Sequence, residues 1–209
     1  KNEMWYVVDS EPGSYLYCGL SRDASKEEIL ERINNNTITD ILNKIEVKAG
    51  DVVMVKAGTI HAIGAGVFIC EIQQNSNCTY RMYDYDRRDK FGNPRELHVK
   101  KALDVVDNHK YIKDNKTEVV IARNEHFTEE RLVQCKYFEV YKYDVNDEAK
   151  ITVDEASFVS VLFINGSGTI ETDDYEKTME FKAGDSFFVS AGLRSIIIKG
   201  QATMVVTRI

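Results

Sequence analysis

Residues 48–61 read KAGDVVMVKAGTIH. The first four are turn chemistry, with Gly50 free to take positive φ. Val52, Val53, Met54 and Val55 follow as a short, β-branched run, too short for a helix and bounded by turn residues. Ala57-Gly58-Thr59 breaks the run, and the chain resumes at Ile60-His61-Ala62-Ile63. His61 therefore stands just inside a new strand, behind a tight glycine turn. Such a rigid platform suits a metal ligand. Taken alone, the same histidine reads as a partly buried side chain satisfied by a backbone carbonyl.

The stretch occurs twice. Residues 182–195 read KAGDSFFVSAGLRS. Lys48, Ala49, Gly50 and Asp51 fall on Lys182, Ala183, Gly184 and Asp185; Val55 falls on Val189, and Ala57-Gly58 on Ala191-Gly192. One structural unit is used twice. The copies differ in chemistry, because His61 becomes Ser195. A histidine required by the fold would recur in both copies, so one copy is expected to be functional and the other structural.

Working outward, residues 4–8 and 14–18 read as strands joined by a turn at Pro12-Gly13, an expected hairpin. Ser25-Lys26-Glu27-Glu28 has the form of a capping box and opens a helix that ends at Asn34-Asn35-Asn36. A second short helix is expected from Thr37 or Thr39, with Ile38, Ile41, Leu42 and Ile45 on one face. Downstream of His61, residues 67–73 and 79–83 read as strands. The charged segment 84–94 reads as a loop and residues 95–106 as a helix. Residues 107–130 read as a connection holding a short strand at 119–122. Strands are expected at 137–145, 158–164, 168–172, 178–181, 187–189, 195–198 and 202–207, a sandwich or jelly-roll pattern. The boundary between two units is expected near residue 125, with a helical insertion at about 23–45 in the first.

With 209 residues the chain can bury one large core or two small ones. A net charge of −7 argues against a nucleic-acid or anionic-membrane surface. Cys18, Cys70, Cys78 and Cys135 lack CxxC spacing, so neither a zinc knuckle nor a disulfide scaffold is expected, and free thiols suit a reducing cytoplasm. No run is long and apolar enough to span a bilayer.

Gly50, then five residues, then KAGTIH resembles the second conserved motif of the cupins, with Lys56 in place of the usual proline. The text around it, AGTIHAIGAG, EIQQNSNCTYRMYDYDRRD and RELHVKKALDVVD, resembles the bacterial type I mannose-6-phosphate isomerases, and the similarity runs over nearly the whole chain. That resemblance implies a mainly β fold of two cupin-type barrels, the first incomplete at its N-terminal side and the second, 126–209, without the metal histidine. It implies one Zn²⁺, with Glu3 and His61 as ligands and a Q-x-H pair expected upstream of Lys1. Carboxylate plus imidazole is a donor set that suits zinc.

The resemblance also places Lys1 and Arg81 as catalytic residues; Glu71 is a substrate-binding candidate from its strand face, and it or Gln73 could instead stand behind the groups that touch substrate. Arg81 matches a family arginine that stabilises an anionic oxygen, and Lys1 a family lysine two residues before the glutamate. Strand alternation puts Glu71 and Gln73 on one face. The implied reaction is interconversion of mannose 6-phosphate and fructose 6-phosphate through a cis-enediol. The implied partner is a small sugar phosphate, with a monomer or weak homodimer as the assembly. The alternative is a sugar-binding cupin module without chemistry, the behaviour expected of this chain alone if two zinc ligands are missing.

Overall fold

A computed structural model describes residues 1–113, 119–172 and 178–209. They form two units, Lys1–Lys113 and Asp114–Ile209. In the first, the elements follow as β1 (Glu3–Ser10), β2 (Tyr15–Leu20), α1 (Lys26–Asn34), a 3-10 turn (Ile38–Ile41), β3 (Leu42–Glu46), β4 (Val52–Val55), β5 (His61–Ile63), β6 (Val67–Gln73) and α2 (Val99–Val105).

The strands make two antiparallel sheets of three, ordered β4-β1-β6 and β3-β2-β5. On β1, Glu3, Trp5 and Val7 share a face by alternation. Glu3 lies opposite Val55 and Trp5 opposite Val53 on β4. On β6 their partners are Gln73 and Glu71, with Ile69 opposite Val7. The Val7 end of this face is apolar and packs with Leu16 and Cys18 of β2 and with Val47 in one buried cluster. The Glu3 end carries charge. One face of one sheet thus supplies both core and site.

α1 begins where the capping box places it, with the Ser25 hydroxyl accepting from the Glu28 N–H at 3.1 Å. Ile29 and Ile33 of α1 bury with Ile38, Ile41, Leu42, Ala102 and Met82 in a second cluster. The expected second helix is a single 3-10 turn, after which the chain enters β3, where Leu16 lies opposite Ile45 and Leu20 opposite Leu42. Apolar residues at 38, 41, 42 and 45 fit a helix face and a half-buried edge strand alike, and pairing with β2 decides between them.

Four other expectations change. β1 and β2 are not a hairpin: they lie in different sheets, because β4 and β6 occupy both edges of β1. Residues 79–83 form no strand, and α2 begins only at Val99, because residues 81 and 98 bond to each other across a loop. The division between units falls ahead of residue 125, since the strand at 119 pairs within the second unit.

That second unit holds β7 (Val119–Arg123), β8 (Phe127–Gln134), β9 (Glu139–Val145), β10 (Glu148–Val153), β11 (Val159–Thr172), β12 (Met179–Lys182), β13 (Ser186–Val189) and β14 (Arg194–Arg208). Residues 114–118 of the expected connection lie outside the described residues. The sheet runs β12-β11-β14-β9-β8-β7, with β10 on β14 and β13 on β11. β11 and β14 are each continuous where two strands were expected. They pair from Ser160 to Thr172 through a bulge after Phe163. β8 and β10 were not anticipated. Inward-facing Val145, Ile151, Val161, Phe163, Ile196, Ile198, Met204 and Val206 form the core of this unit.

The repeated turn is built identically in both units. The Lys48 N–H donates to Asp51 Oδ2 at 2.9 Å and the Lys182 N–H to Asp185 Oδ2 at 2.9 Å. Gly50 and Gly184 take φ of +91° and +89°, a conformation that favours glycine. The Gly50 N–H donates to the Val7 carbonyl and the Gly184 N–H to that of Phe163, each at 2.8 Å. β1 bulges after Val7 and β11 after Phe163. Counting back from these anchors, Glu3 opposite Val55 corresponds to Val159 opposite Val189.

Candidate metal centre and active site

The chain start is held in place before any metal is considered. Asn2 donates through its backbone N–H and side-chain amide to Gln74 Oε1, at 2.8 and 2.9 Å. Its own Oδ1 accepts from the Ala57 N–H at 3.1 Å. Asn2 therefore ties the start of β1 to the end of β6 and to the turn that carries His61. That turn is fixed from the other side too. Gly58 has φ of +89°, and a Cβ there would meet the Val105 carbonyl oxygen at 2.8 Å. The Gly58 carbonyl accepts from the Asp107 N–H at 2.9 Å.

Glu3 is the buried member of the site. Its side chain is 4% exposed, against 36% for His61. A buried carboxylate needs a compensating partner, and the Lys1 ammonium supplies one. Lys1 Nζ lies 3.3 Å from Glu3 Oε1, and His61 Nε2 lies 3.7 Å from Glu3 Oε2. Lys1 Nζ also donates to Gln73 Oε1. His61 Nδ1 is 2.8 Å from the Thr59 carbonyl, which can only accept, so Nδ1 carries the proton and the Nε2 lone pair is directed away from that bond. Trp5 packs edge-on against the imidazole, with ring centroids 5.4 Å apart. One ring nitrogen of His61 is thus satisfied by a backbone carbonyl, and the other faces the Glu3 carboxylate.

Glu71 opens to solvent on the same face, one register step from Glu3. Partial burial of its carboxyl, and then the neighbouring Glu3 carboxyl, raise its pKa above the ordinary value; Lys1 and His61 oppose this. The structure therefore gathers Lys1, Glu3, His61 and Glu71, with Gln73 beside them. Gln73 was legible as the partner of Glu71 by alternation, but nothing in sequence marked it as the acceptor of the Lys1 ammonium.

Arg81 is placed differently from the strand position expected of it. It lies on the loop after β6, where its guanidinium donates to the Glu96 carbonyl at 3.3 Å. Its bonds among the described residues go to that segment rather than to the Glu3 cluster.

Glu3 and His61 fit two positions of a zinc site. Zn–O and Zn–N bonds are each about 2.0–2.2 Å, so donor atoms 3.7 Å apart can share one ion. The fixed Nδ1–H tautomer is the form that leaves Nε2 able to ligate. Among the described residues, no group of three or more His, Cys, Asp or Glu side chains is arranged to hold a metal. These residues therefore supply two donors and not a closed set.

Comparison with known proteins follows the same lines. Residues 128–209 match the family model "Mannose-6-phosphate isomerase, cupin domain". YvyI of Bacillus subtilis (strain 168), provisionally named a mannose-6-phosphate isomerase, is 40% identical over 214 residues, covering all of this chain and 64% of the relative. The crystal structure of the mannose 6-phosphate isomerase from Bacillus subtilis superimposes with a TM-score of 0.89 at 37% identity, covering 100% of this chain and 64% of that one. The Salmonella typhimurium mannose 6-phosphate isomerase, solved bound to fructose 6-phosphate and zinc, shares the fold with a TM-score of 0.66 at 13% identity, over 99% of this chain and 66% of that one. This mainly β chain spans about 64% of the length of its Bacillus relatives and is similar over its whole length to cupin-fold mannose-6-phosphate isomerases.

Proposed function

We propose that the first unit carries part of the active site of a zinc-dependent isomerase that interconverts mannose 6-phosphate and fructose 6-phosphate. The observation that carries this reading is the pairing of Glu3 Oε2 with His61 Nε2 at 3.7 Å, with Nδ1 already bonded to Thr59. Zinc held there would supply Lewis acidity toward the sugar's oxygens. Further donors, from outside the described residues, would complete its shell.

The chain's own groups divide the remaining work. The Lys1 ammonium, between Glu3 and Gln73, is placed to donate to a sugar oxygen in the open part of the site. Glu71 offers carboxylate oxygens to sugar hydroxyls from the same face. Trp5 and the apolar end of the face wall off one side and fix the imidazole. Isomerisation moves a proton between C2 and C1 through a cis-enediol, and negative charge grows on the oxygens as it leaves. A fixed cation lowers the free energy of that charge; Lys1 is one, and Arg81, brought in on its loop, is proposed as the other.

The donor count favours a second reading. With only two donors among the described residues, this chain by itself would act as a sugar-binding module without chemistry. A coupled assay from mannose 6-phosphate to fructose 6-phosphate, with zinc supplied, separates the two. Zinc-dependent turnover that Glu3→Gln abolishes supports the isomerase. Sugar-phosphate binding without turnover supports the module.

A further inference from the structure

The loop that carries Arg81 contains a second charged cluster, which the proposed chemistry does not use. Asp84 is 6% exposed although it lies in a loop. Its carboxylate accepts from Arg95 at both oxygens, through Nε at 2.7 Å and through Nη2. It also accepts from Arg87 Nη2 at 2.8 Å. Two guanidinium groups from opposite sides of the loop thus meet on one buried carboxylate. Bidentate arginine–carboxylate pairs fix geometry as well as supply attraction.

The consequence reaches Arg81 through the residues after Arg95. Glu96 offers its carbonyl to the Arg81 guanidinium. The His98 N–H donates to the Arg81 carbonyl at 2.6 Å, and His98 Nδ1 accepts the Arg81 N–H at 3.3 Å. Among the described residues, the bonds that hold Arg81 come from residues 96–98, immediately after the arginine that Asp84 grips. Between Arg81 and Asp84, Met82 is buried in the helical cluster with Ala102 of α2, which anchors that side. The loop also contains two successive non-glycine residues at positive φ, Tyr85 at 55° and Asp86 at 50°. Such a conformation is unfavourable for a residue with a side chain and persists only where surrounding contacts impose it.

We propose that Asp84 and Arg95 form a clasp that positions Arg81 for the sugar phosphate, so that Asp84 and Arg95 are positioning residues of the isomerase reaction. The proposal rests on the isomerase reading for the role of Arg81 and on the loop geometry for the clasp. Its consequence is that loss of the clasp changes turnover without changing metal binding, because Glu3 and His61 are held by Asn2 and Gly58, which do not touch it.

The experiment compares wild type with Asp84→Asn, Arg95→Lys and the double variant by two readouts. Amide hydrogen exchange reports the clasp directly. Protection at Arg81 and His98 is expected to fall at least tenfold in Asp84→Asn, while protection at Trp5 and Val53 is unchanged. Steady-state kinetics report its use: kcat is expected to fall at least tenfold with a smaller change in KM, zinc affinity is unchanged, and the double variant is no worse than Asp84→Asn. The milder Arg95→Lys retains the charge, so it keeps the fold if Asp84→Asn does not, and shows the same changes at smaller size. Unchanged protection at Arg81 and His98 overturns the clasp. Lost protection with unchanged kcat overturns the positioning role. A wild-type protein that binds zinc but shows no turnover overturns the isomerase reading instead, and the clasp is then decided by hydrogen exchange.

Discussion

Val159 stands in the second unit where Glu3 stands in the first: each lies opposite the last residue of the strand that follows the repeated turn, Val189 and Val55 respectively. His61 is replaced in the same comparison by Ser195. The two changes together remove both donors from the second copy and leave its scaffold intact. Metal should therefore belong to the first unit alone. Ser195→Ala is expected to leave zinc stoichiometry unchanged in a metal titration, whereas Glu3→Gln lowers zinc affinity.

Gly58→Ala tests how the His61 platform is held. A side chain at φ of +89° is strained, and its Cβ would press on the Val105 carbonyl at 2.8 Å. Destabilisation of roughly 1–2 kcal/mol is expected in thermal or urea unfolding, together with weaker zinc binding. The corresponding Gly192→Ala should destabilise through φ alone, since little approaches its Cβ, and should not affect zinc.

Glu71 predicts an unusual stability profile. Its carboxyl pKa is raised by burial and by Glu3. A raised carboxyl favours the fold at low pH, and that contribution is lost as pH rises through the raised value. Ionised Glu71 thus works against the metal-free fold at neutral pH. Glu71→Gln is expected to raise the Tm of the metal-free chain at neutral pH, and to change nothing well below the ordinary value of 4.5. A lowered Tm at neutral pH would contradict this.

Asp84 predicts the opposite sign. Arg95, with Arg87, holds its carboxyl down to about 2. A depressed carboxyl stabilises above its unfolded value, and this is lost as pH falls through the folded one. Asp84→Asn should therefore lower Tm at neutral pH, with the difference shrinking as the pH approaches 2. A deficit independent of pH would place its cause in packing rather than charge.

Legibility followed the range of the interaction. The repeated turn could be read because its determinants, Gly50 and Asp51, act within four residues. The cap at Ser25 was legible for the same reason. Sheet membership was not: nothing between residues 9 and 14 states that both edges of β1 are already taken by strands some 50 residues away. Residues 42–46 were misread because their apolar spacing satisfies two periods. Among the candidate site residues, His61 was singled out by its turn and Glu71 by alternation, and Glu3, Lys1 and Arg81 by family resemblance; the structure gathers all of them except Arg81. The hold of residues 96–98 on Arg81 depends on Asp84 reaching Arg95 eleven positions on, a contact with no local signature.

If Glu3 and His61 share one zinc ion, calorimetric zinc titration separates wild type from His61→Ala. Wild type is expected to bind at most one equivalent, with affinity at least tenfold lower in His61→Ala and circular dichroism unchanged. Equal zinc affinity in the two proteins would contradict a shared ion.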